Sequence, residues 1–247
     1  MTITINPKYK HLRHFIEQLP QRFEAEGKVV YTGRNLIKVI IVNGQAINVK
    51  RYAVPSLFNR VVYTFFRASK AKRAFTYPDI LLNKGIETPT PIAYIVEHTY
   101  ALIHYSYFVS LQSTYSRNFY EFGNADIRSC RDIIAEFARF TAKLHDNGIL
   151  HRDYSPGNIL FDYIENRYHF SLIDINRLKF GKVSIENGCA NFARLWGQRE
   201  FFIELATQYA AARGADTTFC VERTLHYRKK FWKRHARKHG VQYNLEF

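Results

Sequence analysis

The sequence predicts an α+β chain, a small antiparallel sheet followed by a mainly helical half. Three observations carry that expectation. Apolar, β-branched runs at 29–31, 36–42 and 46–50 are separated by turn residues, and Asn43-Gly44 is the strongest short hairpin signal in the chain. Ile133, Ile134, Phe137, Phe140 and Leu144 recur at helical spacing and stop at Gly148. After them comes a polar loop, then two short apolar strands, then a remainder that reads as helices.

Taken in order, residues 1–27 are basic with apolar positions at Leu12, Phe15, Ile16 and Leu19, which predicts a short amphipathic helix ending near Pro20. The three strands follow, with Gly33-Arg34-Asn35 turning the first into the second and Lys50 late in the third. Residues 56–84 read as helical, and Gly85 supplies a stop. A stiff connector with Pro89 and Pro91 leads to aromatic-rich strands at 92–97 and 100–110. Residues 113–129 are polar with few pattern cues. From Arg131 an apolar stripe predicts a helix, in which His145 reads as a packing or capping residue rather than a ligand. The stretch 192–209 has one apolar face, and 226–240 mixes a dense basic run with Phe231 and Trp232. As a helix that run could lie on an anionic membrane surface. The boundary between the two parts is expected near 110, giving 1–110 and 111–247.

A net charge of +15 points to an anionic partner. No recognition motif accompanies the charge, so nucleic acid is not expected. Cys130, Cys189 and Cys220 are too scattered for a metal site or a disulfide framework, which favours a reducing compartment. The start of the chain has no apolar signal-peptide core and no run is long enough to span a bilayer. The expected location is cytoplasmic, or peripheral on the inner membrane.

The chemistry concentrates in 148–179, G-I-L-H-R-D-Y-S-P-G-N-I-L-F-D-Y-I-E-N-R-Y-H-F-S-L-I-D-I-N-R-L-K. Phosphoryl transfer needs a carboxylate beside the acceptor hydroxyl and oxygen ligands that hold magnesium against the phosphates. Asp153 can accept the proton, while Asn158, five residues on, and Asp174, at the end of the second strand, offer oxygens to the metal. This H-R-D-x-x-x-x-N spacing followed by a metal aspartate resembles the protein-kinase-like fold. The wording D-x-S-P-G-N-I-L, the Arg177 after the aspartate and the connector G-I-x-T-P-x-P resemble the lipopolysaccharide kinase (Kdo/WaaP) family, bacterial enzymes that phosphorylate inner-core sugars.

The resemblance implies a bilobal fold with an antiparallel-sheet N-lobe and a helical C-lobe. It implies ATP and Mg2+, with Lys50 on the nucleotide's α- and β-phosphates, the Gly33-Arg34-Asn35 turn over the phosphates, and a hinge near 109–112 that meets adenine. It further implies a lipopolysaccharide core glycolipid, bearing Kdo or heptose, as acceptor. Two departures stand out. The helix glutamate that should pair with Lys50 falls near Ala74 or Thr76, and neither is acidic; Asp79 is the nearest carboxylate. Asn176 replaces the glycine of D-F-G, which implies a fixed metal site without a switchable activation segment. The rival readings are a small-molecule or protein kinase of the same fold and a nucleotide-binding pseudokinase.

Overall fold

The computed structural model describes residues 1–239 and 241, so Gly240, the last position of the basic run, lies outside the described residues. The chain divides into two units, Met1–Thr114 and Tyr115–Phe247.

The first unit opens with β1 (Thr2–Ile5), a 3-10 turn (Pro7–Leu12) and α1 (Arg13–Arg22). Next come β2 (Lys28–Thr32), β3 (Leu36–Val42) and β4 (Gln45–Tyr52), the expected antiparallel meander. Asn43 and Gly44 turn β3 into β4 at φ 51° and 78°, the positive values a tight primed turn demands. Then α2 (Leu57–Val61) runs into a π-helical turn (Val62–Phe66), and α3 (Lys70–Leu82) precedes the hairpin of β5 (Pro91–Thr99) and β6 (Leu102–Leu111). Among the described residues these strands form a six-stranded sheet in the order β1-β5-β6-β4-β3-β2.

Side chains alternate across a strand, and β4 shows what that does here. Ile47 and Val49 join Ile16, Leu19 and Phe23 in a core beneath α1, and Arg51 on the same face lies over the rings of Phe23 and Tyr105 while pairing with Glu24. Tyr52 points the other way, into a core with Ala71 of α3 and Tyr94. Lys50, two residues before Tyr52, shares that α3-facing side.

Several elements differ from the expected ones. Helix α1 forms as expected but runs through Pro20 to Arg22. A proline inside a helix costs about 3 kcal/mol, whereas fully burying Leu19 and Phe23 returns about 3–6 kcal/mol. Lys38 then stands in for a C-cap, its Nζ donating to the carbonyls of Phe23 and Glu24 at 2.6 and 2.9 Å. The 56–84 helix is broken at 67–69, where Ser69 caps α3 by accepting from the Lys72 amide. The expected hinge at 109–112 is largely strand: the Leu111 and Gln112 amides donate to Thr90 and Ala46, so the irregular connector begins at Ser113.

The second unit holds β7 (Arg117–Asn118), a 3-10 turn (Phe119–Phe122) and α4 (Ile127–Asp146), whose N-cap is Asp126. β8 (Ile149–His151), β9 (Ile159–Ile164), β10 (Arg167–Leu172) and β11 (Leu178–Phe180) follow, then α5 (Ile185–Asn191), α6 (Arg199–Arg213) and α7 (Thr217–Ala236). Its core is aromatic: Phe119 lies 4.1 Å from Phe137 and 5.5 Å from Phe161, and Phe137 lies 5.6 Å from Phe170. The expected 192–209 helix starts only at Arg199, after a 3-10 turn (Phe192–Arg194).

In the basic C-terminal helix Trp232, one of the two aromatics that a membrane-facing surface would use, turns inward, while Phe231 is half-buried. Trp232 is buried and donates to the Leu195 carbonyl at 3.3 Å. Arg228 is buried beside it, donating to the Gly197 carbonyl at 3.1 Å with its guanidinium over the Phe202 ring. Among the described residues no helix is long and apolar enough to cross a membrane. The three cysteines are free and buried.

Candidate active site

Strand register assembles the site within the second unit. β9 and β10 pair with Ile159 opposite Leu172, which sets Asn158 beside Ile173; the Ile173 amide donates to the Asn158 carbonyl at 3.0 Å. β11 pairs with β8, Leu178 opposite His151. The chain that leaves Asp174 therefore folds straight back along the chain that enters the catalytic loop, and Arg177 arrives against Asp153. Asp153, Asn158 and Asp174 are thus gathered on one loop cluster.

The loop is held from behind by buried groups. His151 is fully buried, its Nε2 3.1 Å from the Ile173 carbonyl and its Nδ1 accepting from the Asp153 amide at 3.2 Å. That acceptor role makes Nδ1 the unprotonated nitrogen, and burial lowers the His151 pKa. Tyr154 stacks on Phe137 and its hydroxyl lies 2.8 Å from that of Thr141 on α4; burial raises its pKa. Asn191 at the end of α5 donates to the His151 carbonyl at 2.9 Å and lies 3.1 Å from His145 Nε2. His145 Nδ1 in turn meets the Tyr209 hydroxyl at 2.8 Å. Gly188 makes room for this contact, since a Cβ there would sit 1.9 Å from the Tyr209 hydroxyl.

His145 is therefore the packing residue expected, and it carries a prediction. Burial pushes its pKa down to about 4 from an ordinary 6.5. Between those values the unfolded chain binds a proton that the folded chain refuses, so stability is complete above pH 6.5 and falls as pH drops towards 4. At about 1.36 kcal/mol per pH unit, the loss is on the order of 3 kcal/mol. Urea unfolding at pH 7, 5.5 and 4 should show that decline, and His145→Gln should flatten it; an unchanged slope in the variant would assign the decline elsewhere.

Asp153 itself is half-buried and bridged by two arginines. Arg177 Nη1 donates to Oδ2 at 3.1 Å, and Arg194 donates to Oδ1. Arg194 lies 41 residues on, in the turn after α5, and nothing in its local sequence marks it. Asn158 spends its amide nitrogen on the Asp153 carbonyl at 2.8 Å and Ser155 Oγ at 3.1 Å, so its oxygen is what it has to offer a cation. Asp174 takes a left-handed conformation, φ 53° and ψ 40°, and its carboxylate accepts from the side chain of the buried Asn176. The residue in the glycine position of D-F-G thus hydrogen-bonds the aspartate. An amide oxygen and a carboxylate are hard donors that suit magnesium, which completes its shell with water and substrate phosphates. Among the described residues no cluster of three or more His, Cys, Asp or Glu could hold a metal alone.

The remaining candidates lie in the first unit. Lys50 is half-buried on β4 with its Nζ 5.3 Å over the Tyr52 ring, and Lys70 at the start of α3 approaches the same ring at 5.9 Å. Lys70 escaped the sequence reading; its place right after the Ser69 cap was the available signal. Ala74 is buried and Thr76 exposed, so α3 carries no carboxylate at the expected positions. Gly33 and Arg34 form the exposed turn between β2 and β3, closed by the Gly33 amide donating to the Asn35 carbonyl at 3.2 Å. The Tyr31 ring folds over Gly33, where a Cβ would come within 2.6 Å of its hydroxyl. Asn35 spends its side-chain oxygen on the Ala53 amide at 3.3 Å, a structural role.

A family model described as the lipopolysaccharide kinase (Kdo/WaaP) family matches residues 42–196, well over half of the chain and all of the second-unit site. A solved structure of WaaP in complex with acyl carrier protein is similar in fold, with a TM-score of 0.64 at 16% identity over 96% of this chain and 99% of that one. Curated protein sequences return no match. The chain belongs to the Kdo/WaaP lipopolysaccharide kinases, protein-kinase-like phosphotransferases that use ATP and act on sugar hydroxyls.

Proposed function

We propose that the protein transfers the γ-phosphate of ATP to an inner-core sugar of lipopolysaccharide, Kdo or a heptose, at the cytoplasmic face of the inner membrane. The observation that carries this reading is the Asp153 carboxylate, presented beside Asn158 and Asp174 by a loop locked from behind and flanked by two arginines. Asp153 accepts the proton of the sugar hydroxyl as its oxygen attacks the γ-phosphorus. Asn158 and Asp174 would hold a divalent cation such as Mg2+, which would supply neutralising charge at the phosphates. Lys50 on the first unit tethers the non-transferred phosphates, helped by the Gly33-Arg34-Asn35 turn. Arg177 and Arg194 orient the carboxylate and supply positive charge where an acidic acceptor docks.

Labelled-phosphate transfer from ATP tests the reading, with purified core glycolipid, free sugars and a generic protein as acceptors. Label in the glycolipid is expected. Label only in a soluble acceptor would shift the protein to another kinase class. Metal-dependent nucleotide binding with no transfer to any acceptor would make it a pseudokinase, the reading that the acid-free α3 positions 74 and 76 favour. WaaP is solved with acyl carrier protein, so the same assay is run with and without that protein.

A further inference from the structure

Helix α2 and the π-helical turn that follows it sit on the first unit the wrong way round. A surface helix ordinarily buries its apolar stripe and exposes its polar one. Here two polar residues face in: Arg60 donates to the carbonyls of Ile103 and Thr99 at 2.8 and 3.0 Å, and Thr64 Oγ1 accepts from the Ile103 amide at 3.0 Å. Five apolar residues face out, while Tyr63 packs against the core of Tyr52 and Tyr94. Leu57, Val61 and Phe65 recur every fourth position, with Phe58 and Phe66 alongside; exposure reaches 77% at Phe58, 67% at Phe65 and 82% at Phe66. The β5–β6 tip that receives Arg60 adds Tyr100, exposed to 93%. Contiguous exposed apolar surface of this kind marks an interaction site.

The charge around it selects the occupant. Positions 27–78 carry no Asp or Glu; of their cations Lys38 and Arg73 are buried and Arg51 pairs with Glu24, while Arg67, Lys72 and the half-buried Lys70 stand next to the patch in the chain. Arg67, next to Phe66 in the chain, and Lys72, in the first turn of α3, are both exposed. Aromatics pointing outward beside cations suit a bilayer interface with anionic headgroups, the rings among the acyl chains and the cations at the phosphates. We infer that α2 and its π-turn, with Tyr100, form the surface by which this protein docks on an anionic phospholipid bilayer, a role the sequence also allowed the C-terminal helix. The inference deepens the reading of a membrane glycolipid as acceptor and rests on it for its biological purpose.

Flotation of the full chain with vesicles tests it, comparing phosphatidylglycerol-containing vesicles with purely zwitterionic ones. Wild type should float with the anionic vesicles only. Phe65→Ser/Phe66→Ser should reduce partitioning by more than about 10-fold, while Lys229→Glu/Lys230→Glu on α7 should leave it near wild type. All four residues are exposed and none is placed in the catalytic site, and circular dichroism checks that the variants fold. Equal flotation of the Phe65/Phe66 variant and wild type overturns the inference. So does wild-type flotation that ignores headgroup charge, or a soluble self-association that the Phe65/Phe66 substitutions disperse. Flotation is read without turnover. Lost flotation with intact transfer to detergent-dispersed glycolipid removes the docking surface alone, and intact flotation with no transfer removes the enzyme reading alone.

Discussion

Asp153→Asn is expected to lower the rate of phosphate transfer by about 10²- to 10⁴-fold, the usual contribution of a positioned general base. The substitution keeps the side chain's shape and one acceptor oxygen, so the loop held by His151, Asn158 and Asn191 should persist. The carboxylate's ion pairs with Arg177 and Arg194 are partly exposed, and exposed pairs contribute about 0–1 kcal/mol; the melting temperature should therefore barely move. ATP binding, measured by equilibrium titration, should also be retained. Equal phosphate incorporation by wild type and variant would remove Asp153 from the chemistry, whatever becomes of the rest of the site.

The second large effect is expected at Asp174. Replacing it by alanine takes away the only carboxylate proposed for the metal, and charge neutralisation supplies most of the catalysis in phosphoryl transfer. A loss on the order of 10³-fold or more follows, comparable with the removal of other groups that stabilise transition-state charge. Asn158→Ala should cost less in rate while raising the magnesium concentration needed for half-maximal activity, because it removes a neutral oxygen. It also frees the Asp153 carbonyl and Ser155 Oγ from their hydrogen bonds to Asn158. Magnesium titrations of both variants separate these outcomes. An Asp174→Ala enzyme with wild-type rate and magnesium dependence would show that the cation is held elsewhere.

Much of the site was legible because its signals are local. The spacing from His151 to Asn158 and the two short strands around a turn at Glu165 and Asn166 are readable in consecutive residues, and the paired register of β9 and β10 follows from them. The β3–β4 hairpin was legible for the same reason, through Asn43-Gly44. Cap signals at Ser69 and Asp126 were present too, and would have placed the starts of α3 and α4. Nothing local announced that β1 pairs with β5, Thr2 opposite Val96, or that Arg194 reaches Asp153.

By itself, then, the sequence determined which residues could do phosphate chemistry, where most strands and helices lie, and that the partner is anionic. Only the tertiary structure decided which arginines flank Asp153, which asparagines steady the loop, and which way two amphipathic helices turn. Composition allowed α7 as a membrane face or a solvated basic tail, yet Trp232 is buried, and the most exposed phenylalanines belong to α2 and its π-turn. The physical reason is that a side chain's type states what it can bind, whereas its direction depends on the partner it meets. Those partners, Leu195 for Trp232 and Ile103 for Arg60 and Thr64, come from residues about 40 positions away in the chain.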